Sequence, residues 1–374
     1  MSNFTFPAGN EGDIVTNTET GEKYIFTDDA WVLYHGDHPD FVNVDGDSMT
    51  GQLYAPALQT GPDPLNDGKA IVYMKRGDGD VHELEARENA INFDNWVSHG
   101  TPNQLPGSVA YGDGKWVAVC PSVSVGKKAS CWSDNGSTWN EVTTVENTNN
   151  WRDIAYGNGK FVAVASSGAG RRAMYSTNGG QSWTGAKTSD EQIDGTKTHQ
   201  WFSIAYGGNK FVSLSRVGTD RIMYSEDAIT WTGVSNDGGT WEGITYGNGR
   251  FVAVATGAGT RISYSDDGIS WTNLTDTTNM QFYWVAYGKG RFVATGIDNQ
   301  GKPAVAYSTD RGVNWTTVAL PDDSNSWRRI EYGAGHFVAT SVTGTERIMW
   351  SENGIDWTRG EATEDNAKWR GLAW

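Results

Sequence analysis

From Pro106 to the C-terminus, apolar residues fall in short runs broken at regular intervals by Gly, Asn, Asp and Ser. The segment WRDIAYG from Trp151 is followed by Asn158-Gly159 and then by FVAVA from Phe161, a stretch with period-two alternation. Runs this short, rich in β-branched and aromatic residues, predict strands rather than helices. An Asn-Gly or Asp-Gly pair accepts the positive φ that a two-residue hairpin turn demands, so Asp113-Gly114, Asn158-Gly159 and Asn248-Gly249 predict tight hairpins. A third run of the type Arg-Ile-Met-Tyr-Ser, at Arg221 to Ser225 and Arg347 to Ser351, predicts another strand, and a fourth begins at the Trp of SEDAITW or SDDGISW.

This four-strand pattern repeats. Its copies read PGSVAYGDGKWVAVC from Pro106, WRDIAYGNGKFVAVA from Trp151, WFSIAYGGNKFVSLS from Trp201, WEGITYGNGRFVAVA from Trp241, WVAYGKGRFVATG from Trp284 and WRRIEYGAGHFVATS from Trp327. The Trp starts, ending with Trp369, recur at roughly forty-three residues, the length of a four-stranded propeller blade. The predicted class is therefore all-β, a β-propeller. The chain stops at WRGLAW, residues 369 to 374, a lone first strand that needs partners. NDGKAIVYM from Asn66 and ENAINF from Glu88 echo the second and fourth strands, at matching spacings. Seven blades are expected, the seventh pairing the C-terminal strand with residues 69 to 97; six blades is the alternative.

The turn before the fourth strand resembles the Asp-box of sialidase-type propellers, Ser-x-Asp-x-Gly-x-x-Trp. Ser308 to Trp315 fits it fully, and Ser176 to Trp183 fits with Asn178 in the Asp place. The copies ending at Trp139, Trp231, Trp271 and Trp357 are one residue shorter. The resemblance implies a folding device, with Ser and Asp side chains bonding turn amides, and not a catalytic site.

Residues 1 to 43 do not follow the repeat. GDIVTNTETGEKYIFTDDAWVLYHGD reads as two or three short strands forming a small attachment module with little core of its own. VDGDSMTGQLYAP, residues 44 to 56, is similar to the Met-Thr-Gly element of phage tail-fibre and baseplate proteins, carried here by Met49-Thr50-Gly51; residues 58 to 68 read as a linker. The expected organisation is thus an attachment module at 1–43, the Met-Thr-Gly element and linker at 44–68, and the propeller at 69–374. The resemblance implies a structural virion protein of a phage, in a tail fibre, baseplate or other appendage. Its N-terminal module would join other virion proteins, and its propeller would meet a host-surface glycan or protein; the alternatives are a carbohydrate-binding lectin or sialidase-like glycosidase, and a photosystem-assembly-type propeller.

A net charge of -16 argues against a nucleic-acid partner, which needs a basic stripe. No run of apolar residues is long enough for a membrane span, and the N-terminus lacks a signal-peptide pattern, so virion assembly in the host cytoplasm is the expected setting. Oligomeric state stays open, with a homo-oligomer in keeping with symmetric appendages. Cys120 and Cys131 stay open between thiols and a local bridge.

No phosphate loop, dinucleotide fingerprint, HExxH or Gly-x-Ser-x-Gly element is present, and the Phe-Arg-Ile-Pro motif of sialidases is missing, so no enzyme activity, cofactor or metal is expected. The candidate binding residues lie on the face that carries the long loops. They are Trp151, Trp201, Trp241, Trp284, Trp327 and Trp369, each after such a loop, and the recurring Arg172, Arg221, Arg261 and Arg347, replaced by Ala129 and Ala304 in the other two copies. Indole faces suit sugar rings and guanidinium groups suit hydroxyls and carboxylates. The recurrence itself favours the structural reading, with tryptophans wedged between blades and arginines serving the repeat; glycan stacking is the alternative.

Overall fold

The computed structural model describes residues 107–360, apart from 121–127, 147, 169–170, 190–198, 237, 258, 275–277, 321–324 and 345–346, together with the backbone of six short strands before residue 100. The chain divides into two compact units, Met1–Pro64 and Leu65–Trp374. In the first, β1 (Ile14–Thr16), β2 (Lys23–Thr27), β3 (Ala30–His35) and β4 (His38–Asp40) pair in sequence order as an antiparallel meander. The Met-Thr-Gly element lies outside the described residues.

In the second unit β5 (Met74–Arg76) pairs in parallel with β6 (Ser98–His99). Six antiparallel four-stranded sheets follow. Blade 1 holds β7 (Ser108–Gly112), β8 (Lys115–Val119), β9 (Ser130–Ser133) and β10 (Asn140–Val142); blade 2 holds β11 (Trp151–Gly157), β12 (Lys160–Ala165), β13 (Ala173–Ser176) and β14 (Thr184–Ala186). Blade 3 holds β15 (Trp201–Gly207), β16 (Lys210–Ser215), β17 (Ile222–Ser225) and β18 (Thr232–Val234); blade 4 holds β19 (Thr240–Gly247), β20 (Arg250–Thr256), β21 (Ile262–Ser265) and β22 (Thr272–Leu274). Blade 5 holds β23 (Gln281–Gly288), β24 (Arg291–Ile297), β25 (Pro303–Ser308) and β26 (Thr316–Ala319); blade 6 holds β27 (Trp327–Gly333), β28 (His336–Ser341), β29 (Ile348–Ser351) and β30 (Thr358–Gly360). The first strand of each blade packs against the first strand of the next, from β7 through β11, β15, β19 and β23 to β27, so these six line the centre of a six-bladed propeller.

The expectation of seven blades is therefore corrected to six. Met74–Arg76, expected to pair antiparallel within a seventh blade, runs parallel to Ser98–His99 in a two-stranded sheet. The reason is in how blades dock. A Cβ added to Gly157 would lie 2.0 Å from the Tyr206 ring, and Gly112, Gly207, Gly247 and Gly288 hold Tyr156, Tyr246, Tyr287 and Tyr332 in the same way. The Tyr-Gly pairs of blades 2 to 5 thus supply both a ring for the preceding blade and a socket for the following one. Neither residues 69 to 97 nor WRGLAW contains this pair. The tail residues 361–374 lie outside the described residues.

The hairpin turn after each inner strand takes positive φ at both central residues, 46° at Asn158 and 69° at Gly159, with the same at Asp113-Gly114, Gly208-Asn209, Asn248-Gly249, Lys289-Gly290 and Ala334-Gly335. These mirror-image turns match the right-handed strand twist. The core lies between blades: Trp151, Ile154 and Phe161 of blade 2 pack on Val117 and Val119 of blade 1. Between third and fourth strands, Ser225 Oγ accepts the Ala228 amide at 2.8 Å while Asp227 Oδ1 accepts those of Ile229 and Thr230, each at 2.8 Å. Asn135 and Asn353 do the work of Asp227 in blades 1 and 6.

Candidate binding rim at the channel mouth

Trp151, Trp201, Trp241 and Trp327 are fully buried and Trp284 is nearly so. Trp201 packs among Val162, Val164 and Ala173 of the preceding blade, and Trp241 among Val212, Leu214 and Ile222. These indoles stand in blade interfaces. Trp369 lies outside the described residues. Trp284 is also out of register with the others: Phe282 pairs with Gly296 as Trp151 pairs with Ala165, so Phe282 holds the wedge position in blade 5.

The recurring arginines join neighbouring loops. Arg221 donates from Nε to Gly218 O and from Nη1 to Gly238 O and Gly239 O, at 3.0, 2.8 and 3.0 Å. Arg172 reaches His199 O and Gly168 O, and Arg261 reaches Gly257 O and Met280 O. In each case one bond stays in the blade's own loop and another ties the segment entering the next blade. Arg347 makes the local bond, to Gly344 O. Such charge-assisted bonds to backbone carbonyls hold two loops in one geometry.

The residues that differ from blade to blade stand beside these constant ones. In five blades the register slips by one residue at the start of the inner strand, between Trp151 and Asp153, Trp201 and Ser203, Trp241 and Gly243, Phe282 and Trp284, and Trp327 and Arg329. Each bulge turns one extra side chain away from the ladder. Those residues are Arg152, Phe202, Glu242, Tyr283 and Arg328: two arginines, two aromatic rings and one carboxylate.

They form a band around the mouth. Arg152 lies 5.2 Å from the Phe202 ring centroid, and Arg216, from the loop after β16, stacks on Phe202 at 3.4 Å. Arg216 is also ion-paired with Glu242, whose other oxygen accepts from Thr256 at 3.2 Å. Arg328 covers Tyr283 at 3.7 Å. Burial raises the Glu242 carboxyl above its usual range, opposed by Arg216, the Thr256 hydroxyl and Arg328.

One layer deeper the repeat breaks again. Asp153 accepts from Ser108 Oγ at 2.6 Å, from the Ile204 amide at 2.9 Å and from Arg329 at 3.2 Å, joining blades 1, 3 and 6 to blade 2. Arg329 also donates to Gly107 O and Arg152 O, and its guanidinium lies 3.5 Å from the Trp284 ring centroid. Gly243, in the next layer position, clears the space for Trp284. Glu331 stands where sister blades have Ala110, Ala155, Ala205 and Ala286. It keeps some accessible surface inside the channel although protein surrounds it. That enclosure pushes its carboxyl up to about 8; Arg329 and a bond from Trp284 act against the rise and Asp153 adds to it.

Cys120 and Cys131 are buried free thiols. Burial, with Glu141 adding to it, pushes Cys120 up to about 12, so the thiol stays protonated and unreactive.

Sequence reasoning selected the constant Trp and Arg positions and passed over the residue that follows each Trp. The available signal was variability: within near-identical copies, the two positions after the Trp read Arg-Asp, Phe-Ser, Glu-Gly and Arg-Arg.

No protein-family model and no curated sequence relative matches the chain. Among solved structures it is similar to a streptogramin B lyase, with TM-score 0.59 and 15% identity over 73% of this chain and 88% of that one. It is similar to the virginiamycin B lyase of Staphylococcus aureus, with TM-score 0.56 and 14% identity over 69% and 85%. A third likeness is to YCF48 bound to a D1 peptide, with TM-score 0.50 and 17% identity over 68% and 82%. At these identities the likeness shows the propeller fold. Among the described residues no helix is long and apolar enough to cross a membrane.

Proposed function

We propose that this protein is a non-enzymatic recognition propeller of a phage virion, presenting the loop face and its channel-mouth rim to another protein. The observation that carries the binding role is the contrast between a scaffold of near-identical blades and a set of cationic, aromatic and anionic rim side chains delivered by the same bulge. A purely structural ring would repeat at this position as it does at the Tyr-Gly sockets. The non-enzymatic reading draws on the engagement of two of the three carboxylates described at the channel: Asp153 is shared among three blades and Glu242 is paired with Arg216 and Thr256. The virion setting rests on the sequence resemblance at Met49-Thr50-Gly51.

A second reading is an assembly-factor propeller of the photosystem type, supported by the likeness to YCF48 bound to a D1 peptide. Both readings make the propeller a protein-binding module; they differ in where it acts. Mass spectrometry of purified particles, with electron microscopy of a tag on the loop face, separates them. A tag at a tail, fibre or baseplate position is the expected result, and absence of the chain from particles defeats the virion reading.

A further inference from the structure

We infer that the central channel holds, beneath the Asp153–Arg329 ion pair, a blind pocket that opens toward the hairpin turns and binds a primary ammonium group on an unbranched carbon stem, with Glu331 as its counter-ion. This pocket faces the opposite end of the channel from the loop-face rim and is independent of the recognition role of that rim.

Exposure along the channel changes in one direction. At the level of Asp153 the inner strands place Ser108, Asp153, Ser203, Gly243 and Trp284, all buried, and Arg329 keeps part of its surface. Two residues further along the same strands, Ala155, Ala205, Thr245 and Glu331 are each partly exposed beside the buried Ala110 and Ala286. One residue beyond them the socketed tyrosines are half-buried, and Tyr111 is 41% exposed. The lumen is thus closed at the ion pair and open toward the turns. At about 3.3 Å per residue, Glu331 lies about 10 Å from the Ala334-Gly335 turn, a depth suited to a slender chain.

Charge defines the guest. Two carboxylates, Asp153 and Glu331, share the one cation Arg329, which is already bonded to Asp153, Gly107 O and Arg152 O and stacked on Trp284. The other inner strands bring Ser108, Ala110, Ser203, Ala205, Gly243, Thr245, Trp284 and Ala286 to these two levels, none of them charged. Enclosure therefore holds the Glu331 carboxyl at about 8, and the group keeps its proton at neutral pH. An arriving ammonium takes the place of that proton: the carboxyl ionises, one proton leaves to solvent, and the charge inside the pocket is unchanged. A divalent metal needs several oxygen ligands, and among the described residues no three of His, Cys, Asp and Glu gather to hold one. Trp284 already donates to the carboxyl, so a point donor suits the remaining side better than a forked guanidinium. The methyl groups of Ala155, Ala205 and Thr245 suit a carbon stem.

The test is isothermal titration calorimetry of the full chain with n-butylammonium chloride, with a lysine blocked at both backbone ends, and with n-butanol, at about pH 6, 7 and 8, below the ordinary amine range. The same titrations are run on Glu331→Gln and on Glu331→Ala, the latter carrying the residue found at this place in four sister blades. Ammonium binding should strengthen about tenfold per pH unit from about pH 6 to 7, because one proton leaves for each ammonium bound. It should weaken at least about tenfold in both variants, and n-butanol should not bind. Binding of the blocked lysine assigns the stem to a lysine side chain of a partner protein, whereas binding of n-butylammonium alone assigns it to a free amine. Absence of ammonium binding at the highest pH, binding that ignores pH, or binding retained by Glu331→Ala overturns the inference.

Discussion

Replacing Asp153 by Ala should loosen the centre of the propeller more than any comparable surface change. Its carboxylate side chain is 4% exposed and that of Arg329 is 12% exposed, and the pair is 3.2 Å apart. The substitution leaves the Arg329 guanidinium buried without its counter-charge and removes the acceptor of the Ser108 hydroxyl and the Ile204 amide. Removing one partner of a buried ion pair costs about 3–5 kcal/mol. Arg329→Met should cost less, about 2–3 kcal/mol, because Asp153 keeps its other two donors. If the two residues act as one clasp, the double variant should fall short of the sum by about 1–3 kcal/mol. Urea unfolding followed by tryptophan fluorescence reads each stability, the chain having 18 tryptophans. For a domain near this size, each kcal/mol also moves the melting temperature by about 2–4 °C. Additivity within about 0.5 kcal/mol, or a cost below about 1 kcal/mol for Asp153→Ala, would refute the clasp.

Arg221→Ala should cost about 2 kcal/mol, since it abandons three backbone carbonyls across two loops; Arg221→Lys should recover little, because a lysine cannot fork between them, and a melt unchanged by either substitution speaks against the latch. Glu331 gives a pH signature: with its folded carboxyl held up to about 8 against an ordinary 4.5, the folded state binds the proton more tightly between those values. Wild-type stability should therefore fall as pH rises through that window and level off above it, Glu331→Gln should remove the fall, and parallel pH-stability curves for the two proteins would contradict it. In the blade 4 turn, partial burial works to raise the Asp267 carboxyl, but the Ser270 and Ile269 amides and the Ser265 and Ser270 hydroxyls outweigh it and hold the group at about 2. That stability is present above an unfolded value of 3.8 and lost as pH falls through about 2. At neutral pH Asp267→Ala should cost about 1 kcal/mol and Asp267→Asn much less, since Asn serves in sister turns, and chemical denaturation of both variants decides it.

The repeat was open to sequence reasoning because its determinants are local. Asn158-Gly159 specifies a turn through the φ angles of two residues, and FVAVA specifies a strand through its own pattern, so four strands per copy and their antiparallel order follow without tertiary information. Blade number was less accessible. Short echoes of a strand at Asn66 and Glu88 match in pattern, whereas a blade is accepted into the ring through the Tyr-Gly socket, a contact between chain segments some forty residues apart.

The candidate site divides the same way. That Arg221 recurs was visible in the sequence; that it ties two loops required knowing where Gly238 and Gly239 come to rest. The rim depended on a one-residue register slip, which follows from how each strand meets its partner and leaves no mark in composition. Sequence by itself determined an all-β chain of repeated four-stranded units, with their turns and an acidic balance. The tertiary structure alone decided that six units make the ring, that the tryptophans sit between blades, and that Arg152, Phe202, Glu242, Tyr283 and Arg328 share one mouth. Local propensity sets what each segment can be, while long-range packing sets which segments meet.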